Sequence, residues 1–144
     1  MTEQLTVRAE TTPGRSRVAW RTIGVVALAA TLCASLTWLV VGPWAGVAME
    51  VHDGGGATHE VGLGAVVLST PLIAGAGGAL LRWWQGRSAR ALRHWTILAV
   101  TVAVLSLITP TSAVSPADGM ALVSLHAVVA AVVIVAFRRA GRVR

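Results

Sequence analysis

At 144 residues the chain has room for one domain, and 55% of its residues are hydrophobic against 12% charged. Soluble domains carry roughly 25% charged residues, so the composition argues for a membrane protein, and a mean hydropathy of +0.71 agrees. The net charge of +6 does not call for nucleic acid, because the arginines lie between apolar segments and membrane rules account for them.

In chain order, residues 1–17 read as a disordered cytoplasmic tail. Four apolar runs follow, residues 22–41, 61–81, 95–113 and 117–137. Each is close to the roughly 20 residues that cross about 30 Å of hydrocarbon as a helix. The polar-in alternation of a membrane β-barrel, over about 10 residues per strand, is missing. Arg15, Arg17 and Arg21 precede the first run and Gly46 and Ala48 follow it, as in a signal peptide. Its apolar core nevertheless exceeds the roughly 7–15 residues of a signal's hydrophobic region, so a retained helix is predicted. Cys33, the chain's one cysteine, reads as a small packing residue. It excludes an intramolecular disulfide, dithiol chemistry and a thiolate metal site.

Between the first two runs, the glycines of Asp53-Gly54-Gly55-Gly56 separate two alternating stretches, which suggests an extracytoplasmic β-hairpin. A turn centred on Gly54 and Gly55 sets Glu50 opposite His59, with His52 on the same face. Two imidazoles and a carboxylate are a donor set for a divalent metal. A solvated acidic loop explains the same residues, the spacing matches no specific metal motif, and no resident metal or cofactor is expected.

The second run is rich in small residues. Ala74/Gly78 and Gly75/Ala79 are spaced for close helix approach, either within the chain or across a homo-oligomer seam. Pro71 removes one backbone N–H and predicts a kink, with Ser69 and Thr70 beside it to re-satisfy freed groups. Between the last two runs, Ser115-Pro116-Ala117-Asp118 reads as a helix start: Ser115 the N-cap, Pro116 the first helical residue, Asp118 a cap partner rather than a catalytic acid. Residues 138–144 form a basic cytoplasmic tail.

The twelve arginines settle an expected orientation. Arg8, Arg15, Arg17 and Arg21 precede the first run; Arg82, Arg87, Arg90 and Arg93 lie between the second and third; Arg138, Arg139, Arg142 and Arg144 follow the fourth. A four-span chain puts all of them on one side, which the positive-inside rule makes cytoplasmic. Glu50, Asp53, Glu60 and Asp118 fall on the other. Trp20, Trp83, Trp84 and Trp95 are placed at the inner interface, Trp38 and Trp44 at the outer, where indoles are at home. Lys, Asn and Tyr are absent, all encoded by AT-rich codons, which points to a GC-rich bacterial genome and a bacterial cytoplasmic membrane.

His126 is the residue with most chemical promise, because ionisable groups inside a membrane are candidate functional groups. Ser69, Thr70, Ser106 and Cys33 come to a similar depth, about 12 Å below the outer surface by helical rise. Such a polar layer suits a lipid headgroup, a quinone carbonyl or a proton. Equally, a neutral His126 bonded to Ser106 or to a backbone carbonyl would simply help the bundle keep its register. His94 and His126 lie at different depths, which argues against bis-histidine haem. No embedded carboxylate exists for proton-coupled export.

Three stretches carry a resemblance: Glu60 to Val67, Leu105 to Pro110, and Leu125 to Ile134. Together they resemble a family of small bacterial four-helix membrane proteins classed as a domain of unknown function. The resemblance covers about residues 20–137. It implies four helices with a histidine in the last, here His126, and no particular activity.

The expected fold is thus an all-α membrane protein, an antiparallel four-transmembrane-helix bundle over residues 18–137 with a small hairpin between helices one and two. The expected role is non-enzymatic binding of lipid or a membrane partner, with Arg82, Arg87, Arg90, Arg93, Arg138 and Arg139 meeting anionic headgroups. Two alternatives stay open. One is an oligomeric small-solute transporter or channel assembled through helix two. The other is a membrane enzyme using His126 as general base on a lipid-soluble substrate, without a visible nucleophile, metal set or acid partner.

Overall fold

The computed structural model describes residues 17–52, 55–108 and 113–142. Most of the expected N-terminal tail, Asp53 and Gly54 of the hairpin turn, residues 109–112 at the end of the third apolar run, and Val143 and Arg144 lie outside the described residues. Helix α1 (Trp20–Leu39) passes into a π-helical turn (Val40–Trp44), followed by strands β1 (Glu50–His52) and β2 (Thr58–Glu60), then α2 (Leu63–Gln85), α3 (Ala91–Ser106) and α4 (Pro116–Arg142). The protein is a four-helix all-α structure with a small β-hairpin between α1 and α2. Among the described residues three helices are long and apolar enough to cross a membrane, α1 counted through Trp44, α2 and α4; α3, with 16 residues, is shorter.

The helices alternate in direction. Val18, just before α1, is held by Arg82 and Gln85 at the far end of α2. Trp95 near the start of α3 bonds Gly77 late in α2, and a Cβ on Gly141 at the end of α4 would touch Leu92 at the start of α3. α1 packs against α2 and α4, and α3 against the same two helices from the other side. Two ends result. The arginine end gathers the start of α1, the α2–α3 connection and the end of α4; the hairpin end holds β1, β2 and the start of α4.

Small residues set the close approach of α1. Its buried positions, Ile23, Val26, Ala30 and Ala34, recur at helical spacing, as do Val66, Thr70, Ala74, Gly78 and Leu81 on α2. Ala30, Ala34 and Ala74 are fully buried, so backbones rather than long side chains meet there. The Ala74/Gly78 face of α2 is therefore occupied within the chain. Around this core the outward surface is apolar: Val25, Leu28, Leu32 and Leu36 run down α1, and Leu68, Leu72 and Ile73 down α2, all more than half exposed. An apolar jacket of that extent suits lipid rather than water.

Several boundaries differ from the sequence reading. α3 ends at Ser106 instead of continuing to Ala113, because Ala113 and Val114 serve another element. Val51 bridges Ala113, and Val114 N–H donates to Glu50 O at 3.1 Å, which covers the free edge of β1. α4 continues beyond Phe137 to Arg142, so Arg138, Arg139 and Arg142 are helical turns rather than a separate tail. α2 runs without interruption through Pro71, whereas Pro43, in the π-helical turn, coincides with the departure from α-helix.

Candidate functional site

At the hairpin end the strand register is shifted by one residue from expectation. Glu50 pairs with Glu60, Val51 with His59 and His52 with Thr58. The reason is packing. In this register Met49 and Val51 share a face with Val61, and all three pack against Ala121, Leu122 or their neighbours; a one-residue slip would turn Val61 away from that core. The loop therefore centres on Gly55 rather than between Gly54 and Gly55. Strand alternation then places His59 on the opposite face from Glu50 and His52. Among the described residues no three His, Cys, Asp or Glu side chains come together to hold a metal ion.

The hairpin is fastened to the bundle at three points. The Trp38 indole N–H donates to Val61 O at 2.8 Å. Met49 is 1% exposed and holds a left-handed φ of 53°, an unusual conformation for a residue with a Cβ. Ser115 and Asp118 form a capping box: Ser115 N–H and Oγ–H donate to Asp118 Oδ2 at 3.1 and 2.6 Å, and Asp118 N–H donates back to Ser115 Oγ at 3.2 Å. The backbone N–H groups of Glu50 and Met49 also face the Asp118 carboxylate, so one side chain caps α4 and grips β1. A shallow cleft beside the hairpin is lined by Trp38, Pro43, Val47 and Glu60.

The residues of the expected polar layer have distinct surroundings. Thr70 is buried between helices, Ser69 is exposed, and Cys33, Ser106 and His126 are half-buried. Ser106 donates to Ala103 O at 2.7 Å. His126 Nδ1 lies 2.7 Å from Leu122 O, one turn back on its own helix. A carbonyl only accepts, so Nδ1 carries a proton there. His126 and Ser106 are thus each bonded to their own helix and not to each other.

At the arginine end, Arg82 reaches across to α1: its Nη1 donates to Val18 O at 2.7 Å and its guanidinium lies 5.1 Å from the Trp20 ring centre. Gln85 Oε1 accepts from Val18 N–H at 2.8 Å. Arg87 stacks on Trp83 at 3.9 Å. Such stacked guanidiniums are held in place yet keep donors to spare. Arg90, Arg93, Arg138, Arg139 and Arg142 are exposed or at the helix ends nearby. Trp20 and Trp83 are at least half exposed, but Trp95 is 2% exposed. Its ring packs on Phe137, and its N–H finds Gly77 O at 2.8 Å instead of water. The clasp on Val18 was invisible to sequence reading because its partners are 64 and 67 residues apart.

No curated protein and no solved structure matches this protein. One family model does match, over residues 14–143, which is nearly the whole chain. The chain belongs to a family of unknown function, DUF6069.

Proposed function

We propose that this protein spans the bacterial cytoplasmic membrane four times, with its arginine end and both termini inside. On this reading it acts by binding lipid rather than by catalysis. One observation carries the reading: the polarity of the bundle. Every described arginine belongs to one end, while Glu50, Glu60 and Asp118 belong to the other, and apolar helix surface lies between. That is the distribution the positive-inside rule produces.

The shortness of α3 is compatible with a fourth crossing. Its 16 residues rise about 24 Å, and the apolar Leu107 and Ile108 extend it. A few ångströms of mismatch are absorbed by local thinning of the bilayer at modest cost. At the inner face each basic residue near the surface attracts anionic lipid by about 1 kcal/mol. Arg82 and Arg87, braced on Trp20 and Trp83, are the best-positioned contacts.

Impermeant maleimide labelling of intact cells tests the orientation in a Cys33→Ser background. Gly56→Cys should label from outside, and Arg90→Cys only after lysis. The reverse pattern would overturn the orientation. Native mass spectrometry from nanodiscs tests the lipid contact. Retained phosphatidylglycerol that falls on joint Arg82→Ala and Arg87→Ala replacement supports it, and equal retention of phosphatidylcholine rejects it.

A further inference from the structure

Beyond Trp95 no described residue of α3 is buried, and one face of the helix records the change. Trp95 is 2% exposed, Ala99 is half-buried on the same core cluster, and Val102, at nearly the same angular position two turns on, is 53% exposed. The facing helices are open at the same level. Ser69 and Ile73 continue, towards the hairpin end, the row of α2 that contains Gly77, the partner of Trp95; Ile73 is 64% exposed and Ser69 is exposed as well.

His126 faces this opening. It lies eleven residues before Phe137, which packs on Trp95, and eleven residues are close to three whole turns. His126 therefore shares the α3-facing side of Phe137. Ser106 lies eleven residues after Trp95 in the antiparallel helix, so it comes level with His126. Both stand about 16 Å from the Trp95–Phe137 contact. By these spacings and exposures, the lipid-facing surface between α2, α3 and α4 opens inward at the level of His126, with exposed Ile73 and Val102 beside it.

The hydrogen bonding of the ring decides what it accepts. With Nδ1–H donated to Leu122 O, the neutral form of the ring presents Nε2 as an acceptor. Among the described residues Nε2 has no hydrogen-bond partner, and no buried side-chain nitrogen or oxygen is without one, so Nε2 opens onto accessible space. Ser106 does not fill the role, because its hydroxyl is donated to Ala103 O.

We infer that this opening is a groove that binds an apolar, membrane-soluble ligand carrying a hydroxyl donor, a phenol or alcohol, whose O–H donates to His126 Nε2. A quinone or ester carbonyl has no proton to give and does not suit this tautomer. A phospholipid headgroup is excluded by depth: His126 lies eight residues below Asp118, about 12 Å into the bundle by helical rise. The inference rests on the membrane-spanning reading above.

The test is nitrogen-15 spectroscopy of the histidine-labelled full chain in lipid nanodiscs, with dodecylphenol as probe and its methyl ether as control. His126→Ala assigns the resonance. The phenol should shift the His126 Nε2 signal, and the ether should leave it in place. Val102→Trp keeps the histidine but fills the groove, and should weaken the phenol response about tenfold or more, as for loss of one good hydrogen bond. Equal responses to phenol and ether, no response to either, or a full response in Val102→Trp would each overturn the groove. Carbonate extraction separates the two readings. A chain released from the membrane sinks the membrane reading, whereas one that stays embedded and ignores the phenol sinks only the groove.

Discussion

Trp95 and Phe137 meet edge to face, ring centroids 5.5 Å apart and planes at 81°. The pair occupies space that a glycine leaves open on the opposite helix. A Cβ on Gly78 would stand 2.6 Å from Phe137 Cζ and 2.8 Å from Ile23 Cγ2. α1, α2, α3 and α4 thus converge at one level, where the absence of a side chain lets two aromatic rings and an isoleucine share the axis. The offset geometry suits the ring quadrupoles.

Substitution of this glycine should therefore be costly. Gly78→Val forces Phe137 and Ile23 out of their rotamers, with an expected loss of about 1–3 kcal/mol from overpacking. Gly75, one turn away, has nothing within 4 Å of its would-be Cβ, so Gly75→Ala should be neutral or slightly stabilising through helix propensity. Thermal unfolding of both variants in the same detergent measures the difference. Equal midpoints would show that the two faces of α2 are packed alike.

The start of α4 offers a second test. Ser115→Ala removes the acceptor for Asp118 N–H and one donor to its carboxylate, and should cost about 1 kcal/mol, a usual N-cap value. Asp118→Ala should do more than uncap the helix, since the carboxylate also faces the backbone N–H groups of Met49 and Glu50. Hydrogen exchange at Met49 and Glu50 should accelerate in Asp118→Ala and change little in Ser115→Ala. Matching exchange in the two variants would confine Asp118 to capping.

That contrast also marks how far the sequence could be read. The capping box was legible because Ser115 and Asp118 are three residues apart and their geometry is local. The apolar segments were legible because spanning hydrocarbon demands long uncharged runs. The hairpin register was not. Three consecutive glycines announce a turn without saying which one sits at its centre, and the packing of Met49, Val51 and Val61 decides it. Trp95 misled for a related reason: an indole satisfied by Gly77 O and one satisfied by interfacial water look the same in sequence. Residue counting gives the layer around His126 only as an expected common depth. The bond from His126 to its own helix, and the thinning burial of α3 beside it, depend on packing that no local pattern encodes.

The clasp at the arginine end predicts a protease phenotype. Val18 is 1% exposed and its N–H and C=O are both engaged by α2, which should shield the peptide bond after Arg17. Arg82→Ala removes the bond to Val18 O and the stack on Trp20. Trypsin added to the arginine face of inverted vesicles should cut after Arg17 faster in Arg82→Ala than in the wild type. Arg82→Lys should be intermediate, since an ammonium lacks the planar fork. An unchanged cutting rate would mean that Gln85 and the contacts of Arg17 near Gly86 hold the segment without Arg82.

Met49 sets two effects against each other, and magnitudes decide the sign. Its left-handed φ of 53° costs about 1–2 kcal/mol for a residue with a Cβ, so Met49→Gly would relieve strain. The side chain is 1% exposed against Ala121 and Leu122, and truncating a buried methionine costs about 2–5 kcal/mol. Glycine adds about 0.5–1 kcal/mol of backbone entropy lost on folding. Burial wins, so Met49→Gly should destabilise the protein by about 0.5–5 kcal/mol from these ranges. Met49→Leu keeps the volume and the strain, and should stay within about 1.5 kcal/mol of wild type. Denaturant unfolding in mixed micelles reads both variants. A glycine variant as stable as wild type would mean that the hairpin does not lean on Met49, and that Asp118 of α4 and Trp38 of α1 hold it against the bundle.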